Sequence, residues 1–490
     1  MEIHQQEQKL GLLDHVRNQP VKDNSINEGL SRRNLFKMVL LSEIGLVVGY
    51  NMFIFNPLGD IVLENVYGLK GAILRSAMGD VNLLFSTGSM IACLITAGLA
   101  NKYGRLKLIY IYQVLIIVTL GLYWIKNLYV LYFVRFTIGF VSAGQQTVSC
   151  VMLKELLSKE SSGIGNSLIY TYLGTFIFFA YIQGNLHSTE SIIQNWRYIL
   201  CWPIIPEFIK LIILPCSLPF DSPKFLYSKY KESFDIEYKM ASIYIDTHRE
   251  SEVVNVIKET IKVVKDEDAN NLKSKYGLLG LLTMKITRKR MWASLVVLLS
   301  QQLTGTTYYT LYSTNIFDRI GGKGQGKDMT LYIAVTKLIS SFIGVIFVKY
   351  LGRKFNILLG CLCESICSMV LALSILLGYP MLSYVALSSF MFYQSIGFGS
   401  NVSAFITETL PVSGIGFTIA LGWIFQATVA KIMPLVAEPL GDLNMILFFS
   451  VTCLFSVMFL DYFMIESKRK PEMKVIKDFT IKPYKIFDFS

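Results

Sequence analysis

Charge is the first thing this chain is short of. Only 17% of its 490 residues are Asp, Glu, Lys or Arg, against roughly 25% in an average soluble protein, and this excludes an ordinary water-soluble domain. Histidine is scarce too: His4, His15, His187 and His248 are scattered in polar segments, so neither a Ser-His-Asp set nor a histidine metal site is available. The eight cysteines all fall in or beside apolar stretches. That excludes an extracellular disulfide ladder or a metal-ligand cluster and leaves them as buried packing residues. Met1 to Asn34 is polar and lacks the apolar core of a cleavable signal peptide, so the first apolar segment is expected to act as its own signal. "GGKGQGKD" (Gly321–Asp328) looks like a phosphate-binding loop, but no strand precedes it and no nucleotide site is expected. No cofactor or metal is implied.

What the chain has in quantity is apolar residue: 53% hydrophobic, with mean hydropathy +0.47. A bilayer core about 30 Å thick is crossed by about 20 apolar residues in a helix. Such stretches recur near 36–56, 79–99, 106–125, 128–150, 163–183, 198–218, 291–313, 330–350, 356–378, 381–407, 413–436 and 444–465. Twelve membrane-spanning helices are therefore expected. The formal charge of +11 gathers in alternate loops, in "NKYGRLK", "LKELLSKE", Lys224 to Arg290 and "KYLGRKF", and in both tails. By the positive-inside rule that side is the cytoplasm, so the charge reports topology rather than nucleic-acid binding. Both termini are expected there, in the plasma membrane. The partners implied are the lipid bilayer and a small-molecule solute; oligomeric state is left open.

The organisation follows: a tail 1–34, a six-helix half 35–219, a cytoplasmic linker 220–290, a second half 291–467 and a tail 468–490. In the linker, Val254, Ile257, Ile261 and Val264 recur at helical spacing opposite charges. This reads either as short amphipathic helices on the cytoplasmic face or as a solvated connector. The halves echo each other. "LANKYGRLK" between spans 2 and 3 is matched by "VKYLGRKF" between spans 8 and 9; Glu155 follows span 4 and Glu408 follows span 10; "FDSPKF" leaves span 6 and "IESKRK" leaves span 12. Two similarly oriented six-helix repeats are indicated, with a solute site near the midplane where they meet.

With these motifs the chain resembles the sugar porter branch of the major facilitator superfamily, from about Phe36 to Lys470. Gly49-Tyr50-Asn51 is similar to that family's G-Y-[DN], Gly104-Arg105 to its GRR loop, and Arg135, Gly139 and Glu155 to its R-x3-G…E segment. "FDSPKFL" is similar to P-E-S-P-R-[FW]-L, "QQLTG" (Gln301–Gly305) to Q-Q-[LF]-[ST]-G, and "ESK" to P-E-T-K. The resemblance implies the major facilitator fold and a cytoplasmic gate in which Arg105 pairs with Glu155 and Arg353 with Glu408, with Asp221 and Glu466 alongside. As exposed pairs, each would be worth about 0–1 kcal/mol. The departures are also informative. Asn51 stands where proton-coupled members carry an aspartate, and an amide does not exchange a proton near neutral pH. Tyr170 replaces a glutamine, Thr307 an asparagine, Ser403 a tryptophan, and Lys337 a polar residue that faces the sugar. Glu43, Asp80 and Glu364 are further ionisable groups inside apolar spans; Glu43 and Glu364 are the acids within which a partner for Lys337 is sought.

Span 7 carries the clearest polar stripe. On an ideal helical wheel Gln301, Gly305, Tyr308 and Tyr312 fall together, with Gln302 about 100° away. Lipid offers such a stripe no partners, so it should face a water-filled path. The expected binding set is Gln301, Gln302, Thr307, Tyr312, Lys337, Tyr170, Ser403 and, in span 11, Gln426. The function expected is uniport-like movement of a hexose or polyol by alternating access, with proton symport left open and without covalent chemistry. Two alternatives stay open: an organic-anion carrier on the same scaffold, suggested by Lys337 and the lost amides, and a non-transporting nutrient sensor.

Overall fold

A backbone in lipid must satisfy its own hydrogen bonds, so isolated segments cross only as helices. The computed structural model, which describes residues 32–157, 159–230, 234–245, 250–273, 285–310, 326–468 and 472–481, is helical throughout those residues apart from short connections. Among the described residues, ten helices are long and apolar enough to cross a membrane. In the first half they are Leu35–Phe53, Gly71–Tyr103, Arg105–Trp124, Leu128–Leu156, Ser162–Leu186 and Thr189–Ser217. In the second they are Met329–Tyr350, Arg353–Leu376, Gly414–Ile432 and Asp442–Phe463. These are spans 1 to 6, 8, 9, 11 and 12. Spans 7 and 10 make up the twelve, and both are interrupted.

Span 7 begins as Lys285–Leu303 and unwinds at Thr304 and Gly305 before turning helical again to Thr310. Gly305 has φ +84°, a conformation that side-chain-bearing residues rarely adopt, and a Cβ there would stand 2.5 Å from the Phe449 ring. Span 10 runs Pro380–Gln394, passes through one π-helical stretch Ser395–Gly399, and continues as Ser400–Thr409. The sequence predicts a continuous helix over 381–407. The bulge exists because Gly397 and Gly360 of span 9 pack backbone to backbone; a Cβ on Gly360 would meet the Gly397 Cα at 2.6 Å. The displaced carbonyls are taken up locally: Asn401 Nδ2 donates to Ile396 O (2.8 Å) and Gly397 O (2.9 Å), and the Ser400 hydroxyl to Ile396 O (3.1 Å).

The largest apolar core gathers the first half and takes in Ala334, Ala420, Trp423 and Ala430 of the second, and the halves meet where span 5 packs on span 8 and span 2 on span 11. Span 2 is longer than the predicted 79–99 because the polar turns from Gly71 continue the helix past the apolar stretch that hydropathy detects. Among its described residues the linker forms the helices Pro223–Tyr230, Phe234–Ile245 and Glu250–Lys273. Val253, Ile257 and Val264 are buried in a cluster with Tyr227, Met240 and Tyr244, so these helices pack on one another. The helix Glu472–Ile481 lays Val475 and Phe479 against Ala293 and Phe463 at the feet of spans 7 and 12.

Candidate functional site

The basic loops build one structure twice. At the start of span 3, Arg105 Nη2 donates to Glu155 Oε1 (2.9 Å) and Nη1 to Ala100 O (3.3 Å), while Asp221 accepts the backbone amides of Arg105 (3.1 Å) and Leu106 (3.2 Å). At the start of span 9, Arg353 Nη2 donates to Glu408 Oε1 (3.0 Å) and Nη1 to Val348 O (2.7 Å). There Glu466 accepts the amides of Arg353 (2.9 Å) and Lys354 (3.2 Å). Each arginine thus ties the carbonyl end of one helix to the head of the next, and each acid sits on the electropositive helix N-terminus. Burial holds the Asp221 carboxyl above its ordinary range, an effect that the amides of Ser222, Leu106 and Arg105 only partly offset. Gly104 has φ +98°, and a Cβ there would stand 2.2 Å from Asp221 Oδ2; the tight approach is why glycine precedes the arginine.

These pairs are not exposed, as the sequence reading assumed. The Arg105 and Glu155 side chains are 4% and 5% exposed, those of Arg353 and Glu408 3% and 19%. Helix ends and linker screen them from water, so losing one partner leaves a buried charge rather than a solvated one. The second cluster also crosses between halves: a Cβ on Gly163, at the start of span 5, would stand 2.1 Å from Arg353 Nη2. Lys154 Nζ donates across to Leu410 O (3.3 Å).

Toward the middle, polar side chains from both halves converge. The Tyr170 hydroxyl donates to Gln394 Oε1 (2.7 Å) and its ring lies over Gly399 of the π-helical stretch, where a Cβ would stand 2.2 Å away. Ser403 faces Asn166 O at 3.5 Å, and Ser167 donates to Ser400 O at 2.8 Å. In span 11, Gln426 Nε2 reaches Met52 Sδ at 3.2 Å. Lys337, 3% exposed, holds its Nζ 5.7 Å from the Phe53 ring centroid. Span 7 presents Gln301 and Gln302, both partly buried, at its break. Thr307 donates to Gln302 Oε1 (2.8 Å), whereas the Gln301 amide makes no side-chain hydrogen bond among the described residues. Tyr312 lies outside the described residues.

Two expectations change. The wheel that placed Tyr308 beside Gln301 fails because the break at Gly305 resets the helix; Tyr308 packs on Phe449, its centroid 5.8 Å away, with its hydroxyl toward Asp442. Lys337 pairs with neither Glu43 nor Glu364. Glu43 instead meets Lys210 at 2.8 Å, and Lys210 lies 3.9 Å from Glu207, a buried triad between spans 1 and 6. Asp80 is paired across the halves: Lys431 Nζ of span 11 lies 2.6 Å from it. Sequence reasoning passed over Gln394, Glu207, Lys210 and the Thr310 carbonyl, which accepts from Asn56 (3.0 Å) and Tyr181 (2.7 Å). The signal for Glu207 and Lys210 was present as two ionisable residues one turn apart in an apolar span. A groove of about 550 Å³ between spans 8 and 10, lined by Tyr332, Tyr384 and Phe392, contains none of the binding set.

Comparison with known proteins points one way. A family model described as "Sugar (and other) transporter" matches residues 37–479. The human protein "Solute carrier family 2, facilitated glucose transporter member 5" is 24% identical over 484 residues, covering 94% of each chain. The "Probable metabolite transport protein CsbC" of Bacillus subtilis is 21% identical over 442 residues, covering 86% of this chain and 92% of that one. Among solved structures, the proton:xylose symporter XylE bound to 6-bromo-6-deoxy-D-glucose superposes with a TM-score of 0.78 at 16% identity, covering 91% of this chain and 99% of that one. FucP in its outward conformation gives 0.56 at 13% identity, covering 89% and 100%. These likenesses show the major facilitator fold.

Proposed function

Since the chain belongs to the sugar (and other) transporter family and is a multi-pass membrane transporter rather than an enzyme, we propose that its cargo is a hexose-sized sugar or polyol bound between the halves. The observation that carries this reading is the Gln301 amide. It is held at the unwound turn of span 7 without a side-chain partner among the described residues, where hydroxyl-rich solutes are offered two donors and an acceptor. Gln302, Thr307, Tyr170, Ser403 and Gln426 supply further polar groups. Each hydroxyl desolvated without a partner costs about 1–3 kcal/mol, so several convergent groups are needed. Several are there. The family's glucose transporter relatives, as their names state, make the same cargo class the natural one.

Transport is read as alternating access. The two arginine clusters close the basic face, which the positive-inside rule assigns to the cytoplasm. The Asp80–Lys431 pair and the contacts of Asn56 and Tyr181 with Thr310 O join the halves toward the other face. Rocking exchanges one set for the other. The mode is uniport-like at the position where an acid would couple protons: the Asn51 side chain donates to Val47 O (3.0 Å), and its backbone carbonyl accepts from the buried Arg135 (2.5 Å). Both termini are placed in the cytoplasm, and the plasma membrane is the proposed location. Counterflow of labelled hexoses and polyols in proteoliposomes tests the reading; a protein that exchanges none of them is not a sugar carrier.

A further inference from the structure

Deep in the apolar spans and away from the arginine clusters, Glu43, Asp80 and Glu207 have cationic company. Glu43 and Glu207 share Lys210, and Asp80 holds Lys431. Glu364 of span 9 is fully buried and forms no ion pair among the described residues. Lys337 is the counterpart oddity: 3% exposed in a membrane-spanning helix, with no side-chain hydrogen bond or ion pair among the described residues. A lysine kept for stability at that depth is expected to pair with a carboxylate or backbone carbonyls. Glu43 and Asp80 already face other lysines. An ammonium without an anion inside a membrane is a site waiting for one.

Its surroundings give the anion a setting. Gly174 of span 5 packs on Ser341, with the Lys337 carbonyl 3.5 Å from the position of a Cβ. The Lys337 backbone is therefore fixed against the other half and the side chain alone extends. It ends over the Phe53 face. The same turn of span 1 receives Gln426 at Met52, and one turn on Asn56 reaches Thr310 of span 7. Groups from spans 7, 8 and 11 thus converge on residues 52–56 of span 1, at the seam that alternating access opens. A cation resting on an aromatic face is held weakly enough to turn to a better partner, and a carboxylate is one.

We propose that Lys337 binds the anionic group of the cargo, and that the preferred cargo is a polyhydroxylated monocarboxylate of hexose size, a sugar acid. The amides and hydroxyls take its hydroxyls, and the ammonium takes its carboxylate. This rests on the reading that cargo binds between the halves, and it narrows the cargo from neutral sugars to acidic ones. Arg135 also reaches this turn, its guanidinium 4.7 Å from the Phe55 ring centroid, but it is already bonded to Val81 O and Asn51 O.

D-glucuronate and D-glucose test it, since they differ only in having a carboxylate or a hydroxymethyl group at one carbon. Counterflow of each is measured with purified protein in liposomes, for the wild type, Lys337→Gln and Lys337→Arg. Expected is a wild-type kcat/KM ratio favouring glucuronate, a fall in that ratio of about tenfold or more in Lys337→Gln, as for loss of one charge-assisted hydrogen bond, and its retention in Lys337→Arg. Thermal stabilisation of the purified variants by each compound gives the same ratio where a variant moves too slowly to measure. Glucose exchange with a ratio that Lys337→Gln leaves within twofold overturns the assignment and leaves the sugar reading standing. Failure of the wild type to exchange or bind either compound overturns both.

Discussion

Arg105 and Arg353 make the same contacts in the two halves: one carbonyl five residues back, one carboxylate 50 or 55 residues on, and an acid 116 or 113 residues on that caps the same helix head. The two clusters differ in what lies across from them. Only Arg353 bears on the opposite half, through Gly163.

Glu408→Gln should therefore disturb the closed basic face more than Glu155→Gln. Removing a partner from a pair this buried costs about 3–5 kcal/mol, part of which is recovered when the halves open and water reaches Arg353. A cysteine placed at Thr407 in a background without the native cysteines, labelled from the basic face, should react about 5- to 30-fold faster in Glu408→Gln, as for a shift of 1–2 kcal/mol. Equal rates would mean that the pair does not hold the face shut.

Gly305→Ala carries two penalties, a φ of +84° and a Cβ 2.5 Å from the Phe449 ring. Loss of more than about 1 kcal/mol is expected, read as a lowered midpoint in thermal unfolding. Adding Phe449→Leu should recover only part, because it makes room without relieving the backbone.

In the triad Lys210 lies 2.8 Å from Glu43 and 3.9 Å from Glu207. Lys210→Met strands two carboxylates and should cost about 3–5 kcal/mol. Glu207→Gln, which removes the more distant acid and leaves one ion pair, should be near neutral. Unfolding midpoints for the two variants should fall in that order; the reverse order would show that Glu207 is the principal partner.

The Asp80–Lys431 pair is 38% and 32% exposed, so its worth is about 0.2–1 kcal/mol. Asp80→Lys alone should slow counterflow by no more than about fivefold, and Asp80→Lys with Lys431→Asp should restore it. A double variant as slow as the single one would mean that the contact plays no part in joining the halves.

Much of this was legible in the sequence, and the rest was hidden for physical reasons. Twelve spans follow from apolar length, and which arginine meets which acid is implied by the resemblance of the two repeated loop motifs to those of the sugar porters. The breaks in spans 7 and 10 are different. Hydropathy sums side chains and does not register a lost backbone hydrogen bond, so "QQLTG" and "SIGFG" read as continuous helix until Gly305 and the Gly360–Gly397 contact are seen in three dimensions. Tyr308 went to the wrong face for that reason. Glu207 and Lys210 disappeared into a window apolar enough to absorb two charges. The Lys337 position was legible, whereas its lack of a partner was not, because pairing is a property of neighbours and not of spacing.

The arginine clusters also bear on how the chain is made. Every described hydrogen-bond partner of Arg105 lies between Ala100 and Asp221, and the ring it rests on, Phe225, follows four residues later, so the first cluster can close as soon as the sixth helix and its exit have left the ribosome. The Gly163–Arg353 approach and the Lys154 bond to Leu410 have to wait for the second half. Assembly in the membrane can thus proceed from a finished half that offers a docking face to a later one, and a truncation after the linker should yield a first half able to fold and to accept a second supplied separately.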